Sequence, residues 1–406
     1  MSGTAATLRV IWSVGKGLMR KTWTLGAVGD VFLNRSDDVD AFEFVRPIFS
    51  ACDVVFGNCE GAYSAEESTT PTAGGFSLVA SPDQARPLQS AGFSVMSLAN
   101  NHALDASHDG LMTTMELLHG MGIHTAGAGR NLAEARRPST LSVAGQRLGF
   151  LAFTSVFPAG YEARATTPGV AAMRAHTHYY VHPEAFGRVE PGADPSIRTF
   201  PFPEDVAVLE DVIRATRRSC DVLVVSFHWG KSVRPAELMD YEFSYGRAAI
   251  DFGADLILGH HHHLLRAAEV YQGKTIFYGL SHFTFDMPGL EAALGPERIE
   301  ALRNAGEFAI FPRDGYPLLP FHPDARMTVI AILAFDGATC RGKYLIPCLI
   351  NENNQPVPVD VESEEGQRIG RYLCQIAEQA GLETLCAPSK SLLAGHSMFE
   401  ISASRR

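Results

Sequence analysis

The chain has 406 residues, 46% of them hydrophobic, and a formal net charge of -11. That is enough apolar material for a large core, either one big α/β unit with appendages or roughly two or three domains. The acidic balance excludes the basic footprint of a nucleic-acid binder. No apolar run approaches the ~20 residues that span a bilayer. The N-terminal run at 9–16 is too short for a secretory signal, and Lys16, Arg20 and Lys21 interrupt it. A cytoplasmic protein without a membrane anchor is expected. Seven cysteines without CxxC spacing argue against a disulfide scaffold or a zinc knuckle. They are expected to be reduced, with Cys59 inside a candidate site.

Residues 1–23 read as a leader without periodicity. Thr24 to Gly29 reads as a strand that ends at Asp30. A helical pattern over 39–51 places Phe42, Val45, Ile48 and Phe49 on one face. Asp53 to Gly57 is the next strand and runs into Asn58-Cys59-Glu60-Gly61. Residues 62–80 are rich in Ser, Thr, Gly and Ala and read as a loop. A short helix near 83–91 precedes a strand from Phe93 to Ala99, followed by Asn100-Asn101-His102-Ala103-Leu104-Asp105. A helix from Asp109 to Met121 stops at Gly122. Strands follow at 123–126 and 147–154.

Residues 156–204 lose all periodicity, as a lid or binding loop does. A helix over 205–218 and a strand from Val222 to Phe227 lead to His228. A helix over 240–252 precedes the apolar run Asp255 to Leu258, then Gly259 and the four imidazoles His260 to His263. Strands read at 267–271 and 275–278. A second irregular stretch at 287–324 carries a helical pattern over 296–305. Strands at 327–334 and 342–350 flank the turn signal Asp336-Gly337, and a last helix covers 361–380. Alternation of strand and helix to residue 280 means a layered α/β fold.

The chemistry collects at strand ends. In an extended chain residues two apart point the same way, so His261 and His263 face one point. Neutral imidazole is the commonest side-chain ligand of transition metals. Strands also terminate in Asp30, in Asn58 and Glu60, in Asn101 and His102, and in His228. This mixture of oxygen and imidazole donors suits Mn, Fe or Zn. It exceeds one closed zinc site and is enough for two divalent ions, which sit about 3.5–4 Å apart around a bridging carboxylate. Each residue has a plainer reading: a turn residue for Asp30, a solvated loop acid for Glu60, backbone-satisfying amides for Asn58 and Asn101. His102 and His228 alone would pass for hydrogen-bonded core histidines. Convergence at five strand ends favours the metal reading.

Other motifs fail. Gly230-Lys231-Ser232 and Gly273-Lys274-Thr275 end like phosphate loops, but Val225 and Ala268 occupy the required earlier glycine. Gly127-Ala128-Gly129 lacks the third glycine of a dinucleotide fingerprint. There is no Gly-x-Ser-x-Gly nucleophile elbow.

Gly29-Asp30-Val31, Asn58-Cys59-Glu60-Gly61, Leu98 through Asp105, His228-Trp229-Gly230 and Gly253-Ala254-Asp255 with His261-His262-His263 together resemble the CapA family. These are poly-gamma-glutamate capsule biosynthesis proteins, whose domain is similar to calcineurin-like metallophosphoesterases. The resemblance implies a layered α/β/β/α sandwich of the calcineurin-like metallophosphoesterase type over 24–350, with insertions at 156–204 and 287–324. A helical extension at 351–406 completes the expected chain.

The resemblance also implies Asp30 on one metal, Glu60 or Asn58 bridging, and Asn101 on the second metal. His228 and His261 or His263 complete the shells. His102 sits near the leaving group as acid or electrostatic stabiliser, and Asp105 is the group offered to orient its imidazole. Phe32 stands where metallophosphoesterases carry a histidine. His262 replaces a usual proline, Lys231 a usual acidic residue, and His282 a usual asparagine. Lys231, Arg234, Arg164 and His282 are candidate anchors for an anionic or γ-glutamyl substrate.

The expected function is a dinuclear hydrolase acting on a phosphoester or an amide. The alternatives are a non-catalytic assembly factor in capsule synthesis and a metal-dependent amide-forming or rearranging enzyme of small-molecule biosynthesis.

Overall fold

Val222-Leu223-Val224-Val225-Ser226-Phe227 is apolar at nearly every position, the signature of a parallel strand covered on both faces. The computed structural model, which describes residues 22–65, 77–180, 195–231, 236–289, 295–297, 300 and 323–403, shows this run buried throughout. It lies in a six-stranded sheet ordered Ala268–Tyr271, Lys274–Phe277, Leu256–His260, Val222–His228, Gln146–Thr154 and Ser139–Val143. The four inner strands run parallel.

The other large sheet, the first in chain order and so called the first sheet, with the six-stranded one the second, is ordered Thr384–Leu393, His396–Ala403, Thr339–Ile350, Met327–Asp336, Thr22–Phe32, Val54–Cys59, Val95–Ser97 and His124–Ala126. Its last four strands are parallel. His282–Phe285 joins it as a further parallel partner of Thr22–Phe32.

Alternation decides which layer each residue joins. Val54, Phe56, Val224, Leu256 and Leu258 point between the sheets, where Phe56 stacks on Phe150 with ring centroids 5.9 Å apart. Val55 points outward to Phe49, Leu88 and Leu111. Leu223, Val225 and Ile257 point outward to Leu209, Ile213 and Tyr245 on the helices Pro203–Arg217 and Asp240–Phe252. Helices thus cover both outer faces, giving the expected α/β/β/α layering. Parallel strands place all their carboxyl ends on one rim, and that rim carries the candidate site.

Several local expectations change. Only Arg46–Ser50 of the 39–51 pattern is helical, with Pro47 in its first turn. A proline is well tolerated there but breaks a helix interior, so the helix cannot extend far upstream of it. Short strands Ala62–Tyr63 and Val79–Ala80 bracket the predicted loop at 62–80. The 156–204 insertion is not wholly irregular: Ala175–Tyr180 and Ser196–Pro201 pair as an antiparallel ribbon.

The 351–406 segment is more than helical. Its helix Glu364–Gln379 sends Ile369, Leu373 and Ile376 into the inter-sheet core. Its hairpin Thr384–Leu393 and His396–Ala403 extends the first sheet by pairing Leu345 with Phe399. The leader at 1–21 and most of the 296–305 helical pattern lie outside the described residues. Among those that are described, no helix is long and apolar enough to cross a membrane.

Candidate metal centre

The rim of the first sheet contributes oxygens. Asp30 sits where Thr22–Phe32 slips register against both of its parallel neighbours, opposite Asn58 on one side and His282 on the other. Such an irregularity bends a strand and re-aims a side chain. The Asn58 amide donates to Asp30 Oδ1 at 2.9 Å and lies 3.3 Å from His228 Nδ1. Asn100 in turn donates to Asn58 Oδ1 at 3.3 Å and to the Cys59 carbonyl at 2.8 Å. Glu60 follows the Val54–Cys59 strand directly, its amide N–H bonded to the Val31 carbonyl.

The rim of the second sheet contributes imidazoles. His228 and His260 end neighbouring strands in register. His228 Nε2 lies 3.5 Å from Glu60 Oε1 and 2.7 Å from Asn101 Oδ1. His263 reaches Asp30 Oδ2 at 3.3 Å through Nδ1 and Glu60 Oε1 at 3.7 Å through Nε2.

Two trios result, Glu60 with His228 and His261, and Asp30 with Glu60 and His263, each with its ligand atoms within 4.8 Å of one another. Glu60 belongs to both. Asn58 instead spends its amide on Asp30 and Asn100.

His261 and His263 converge on this cluster, but not by the expected route. The strand ends at His260, and His261 and His263 adopt left-handed backbone with φ of 94° and 52°. A tight turn, not an extended chain, aims the two rings, one at each trio. His260 was overlooked, although Leu256, Leu258 and His260 share one strand face. Its Nδ1 lies 3.4 Å from Asp30 Oδ1.

The electrostatics suit cations. Burial by itself would raise the Asp30 carboxyl, yet the adjacent His260 and His263 imidazoles hold it well below its usual value. Burial, and then the neighbouring Asp30 charge, push Glu60 well above the usual carboxyl range. Burial and neighbouring imidazoles hold His228 and His261 well below the ordinary histidine value, which leaves them neutral and able to ligate. Both Glu60 carboxylate oxygens and His261 Nδ1 are buried and make no hydrogen bond among the described residues. Orphaned acceptors of this kind need an explanation, and a divalent cation held among them would supply it. The residues fit two divalent cations.

His102 and Asp105 form the expected pair, Nδ1 to Oδ2 at 2.7 Å. Asp105 is buried and also accepts from the Leu78 amide at 2.7 Å and the Tyr161 hydroxyl at 3.2 Å. The His102 side chain keeps 21% of its surface exposed, so it faces the open side of the rim.

The candidate anchors do not gather here as a group. Lys231 is exposed just beyond His228-Trp229-Gly230. Arg164 pairs with Glu162 on the surface at 2.8 Å. Arg234 lies outside the described residues. His282 is fully buried and pairs beside Asp30, with its ring 5.8 Å from that of His263. Cys59 is likewise buried, and burial with the Glu60 charge pushes its thiol up to about 12, which leaves it inert.

Residues 24–287 match the bacterial capsule synthesis protein PGA_cap family. The chain belongs to that family. It is 29% identical over 270 residues to the PGA biosynthesis protein CapA of Bacillus subtilis, covering 64% of this chain and 62% of that protein. Similarity to the capsule biosynthesis protein CapA of Bacillus anthracis is 28% over 275 residues, or 65% and 60% of the two chains. A probable polyglutamine synthesis accessory protein of Mycobacterium tuberculosis is 32% identical over 213 residues, or 52% and 50%. The match therefore spans less than two thirds of each of these relatives.

Proposed function

We propose that this PGA_cap family member is a metal-dependent hydrolase of an anionic, γ-glutamyl-type amide or phosphoester substrate. The observation that carries this reading is Glu60: buried, shared by both ligand trios, and with neither carboxylate oxygen hydrogen-bonded among the described residues. In the reading, Asp30, Glu60 and His263 hold one divalent cation of the Mn, Fe or Zn kind. Glu60, His228 and His261 hold the other, with Asn101 adding an amide oxygen. Two such ions supply Lewis acidity and lower the pKa of a water toward neutrality.

The chain's own groups do the rest. Asn58 keeps Asp30 turned toward the cluster. His102 Nε2 gives its proton to the departing oxygen or nitrogen, while the Asp105 carboxylate on Nδ1 fixes the ring. Lys231 and Arg234 follow His228 three and six residues on in sequence and are the cations offered to the substrate's negative charge. The relatives' names favour the γ-glutamyl amide among the two bond types. Fold likeness alone cannot choose.

The accessory-protein name of the Mycobacterium relative supports a second reading, an assembly role without turnover. One experiment separates the two. Protein purified without a histidine tag is analysed for metal and assayed on γ-glutamyl amides and phosphoesters, with and without chelator. The hydrolase reading expects about two equivalents of metal and chelator-sensitive release of product. Metal without turnover of either class favours assembly, and no metal uptake at all overturns the proposal.

A further inference from the structure

Behind the cluster lies a buried pair that the proposed chemistry does not use. Glu242 is the third residue of the helix Asp240–Phe252 and is fully buried. Its Oε2 accepts from the Met239 amide at 2.6 Å, and its Oε1 lies 2.9 Å from His262 Nε2. His262 is the middle residue of the turn whose flanking residues, His261 and His263, serve the two trios.

The slot for its ring is cut by two glycines. A Cβ on Gly230, where φ is +86°, would stand 2.0 Å from His262 Nε2 and 2.8 Å from Glu242 Oε1, and one on Gly279 would stand 2.9 Å from His262 Nδ1. The Gly230 amide is itself tied to the Tyr241 hydroxyl at 2.5 Å, one residue before Glu242.

Left-handed backbone at non-glycine residues is strained and persists only where the surroundings over-determine it. His261 and His263 both adopt it. Their rings point at the carboxylates, whereas the His262 ring points away, into the slot. We infer that the Glu242–His262 hydrogen bond is the clamp that holds this turn, and hence both imidazole ligands, in place. The inference rests on the metal-centre reading above and assigns Glu242 and His262 as positioning residues, since neither touches a trio. Outer partners that orient ligating histidines commonly set metal affinity in this way.

The test titrates chelator-stripped full-length protein with Mn2+ or Zn2+ by calorimetry, with circular dichroism to follow the fold. His262→Phe keeps the volume and loses the bond. Glu242→Gln keeps both contacts, its carbonyl accepting from Met239 and its amide donating to His262. The expected result is a loss of about 10–100-fold in metal affinity for His262→Phe, and affinity close to wild type for Glu242→Gln.

His262→Phe binding both equivalents with wild-type affinity overturns the clamp. So does Glu242→Gln falling as far as His262→Phe, because the bond would then not be what holds the turn. Should His262→Phe not fold, Glu242→Ala decides in its place by the same criterion. A wild-type protein that takes up no metal overturns both this inference and the functional reading. Two wild-type equivalents with an unaffected His262→Phe overturn the clamp alone.

Discussion

The two sheets bring different chemistry to the shared rim, and they hold it differently. The first supplies oxygens from Asp30, Glu60 and Asn101. Asp30 is in register with Asn58 on the backbone ladder, Glu60 follows its strand directly, and Asn101 lies in the turn beyond Val95–Ser97. The second supplies nitrogens. Of these only His228 and His260 lie in the ladder, while His261 and His263 hang on a left-handed turn beyond it. The acid half is a platform fixed by main-chain hydrogen bonds. The imidazole half depends on side-chain bonds behind it, so it is the half that point substitutions loosen without disturbing the sheet.

Glu60 joins the halves, and removing it gives the largest expected effect. Glu60→Ala is expected to lose both metal equivalents, whereas Asp30→Ala and His228→Ala each lose one, read by elemental analysis. Activity of Glu60→Ala should fall about 10⁴-fold or more in kcat/KM, ~5.5 kcal/mol of transition-state stabilisation. An Asp30→Ala protein that keeps both ions would break the division into two trios.

A second variant sharpens the comparison by leaving both halves intact. His102 lies in neither trio, so His102→Ala should keep its metal and lose about 10²–10⁴-fold in kcat. The loss should be smallest on substrates whose leaving group needs no proton, such as p-nitrophenolate. Loss of metal in this variant would move His102 from proton donor to ligand.

The same contrast explains what was legible in the sequence. Strand-end residues are readable because period 2 and parallel pairing fix both face and rim, and Asp30, Glu60 and His228, which stand in or just past paired strands, come together at one rim. The layered sandwich was readable too, from apolar runs alternating with helical patterns. The turn past His260 was not. Extending the strand by three residues put His261 and His263 on one face, but only the glycine-cut slot for His262 reveals that the chain turns.

Glu242 carries no local signal, since its partner lies 20 residues on and the pairing exists only once the helix packs on the sheet. The parallel pairing of His282 beside Asp30 had no local signal either, since the two strands lie about 250 residues apart in sequence. The hairpin after the last helix was missed because its exposed strand alternates weakly, with Pro388 and Lys390 in the middle of its run.

The smallest predicted effect concerns the protein stripped of metal. Glu60 is buried beside Asp30, and burial first, then the Asp30 charge, raise its carboxyl well above the usual value of 4.5. A group raised in this way binds more protons folded than unfolded. Stability therefore falls as pH climbs from 4.5 toward the raised native value. A glutamine has no proton to lose, and its amide can donate toward Asp30.

In excess chelator Glu60→Gln should accordingly be more stable than wild type by ~1–3 kcal/mol at about pH 7. The gain should shrink to nothing as the pH approaches 4.5. The depressed histidines His228 and His261 are present in both proteins and cancel from the difference. Paired thermal melts across that range measure it. Coincident melts at neutral pH would mean that Glu60 is not strained without its ion, and that the two halves of the rim fit together before any metal arrives.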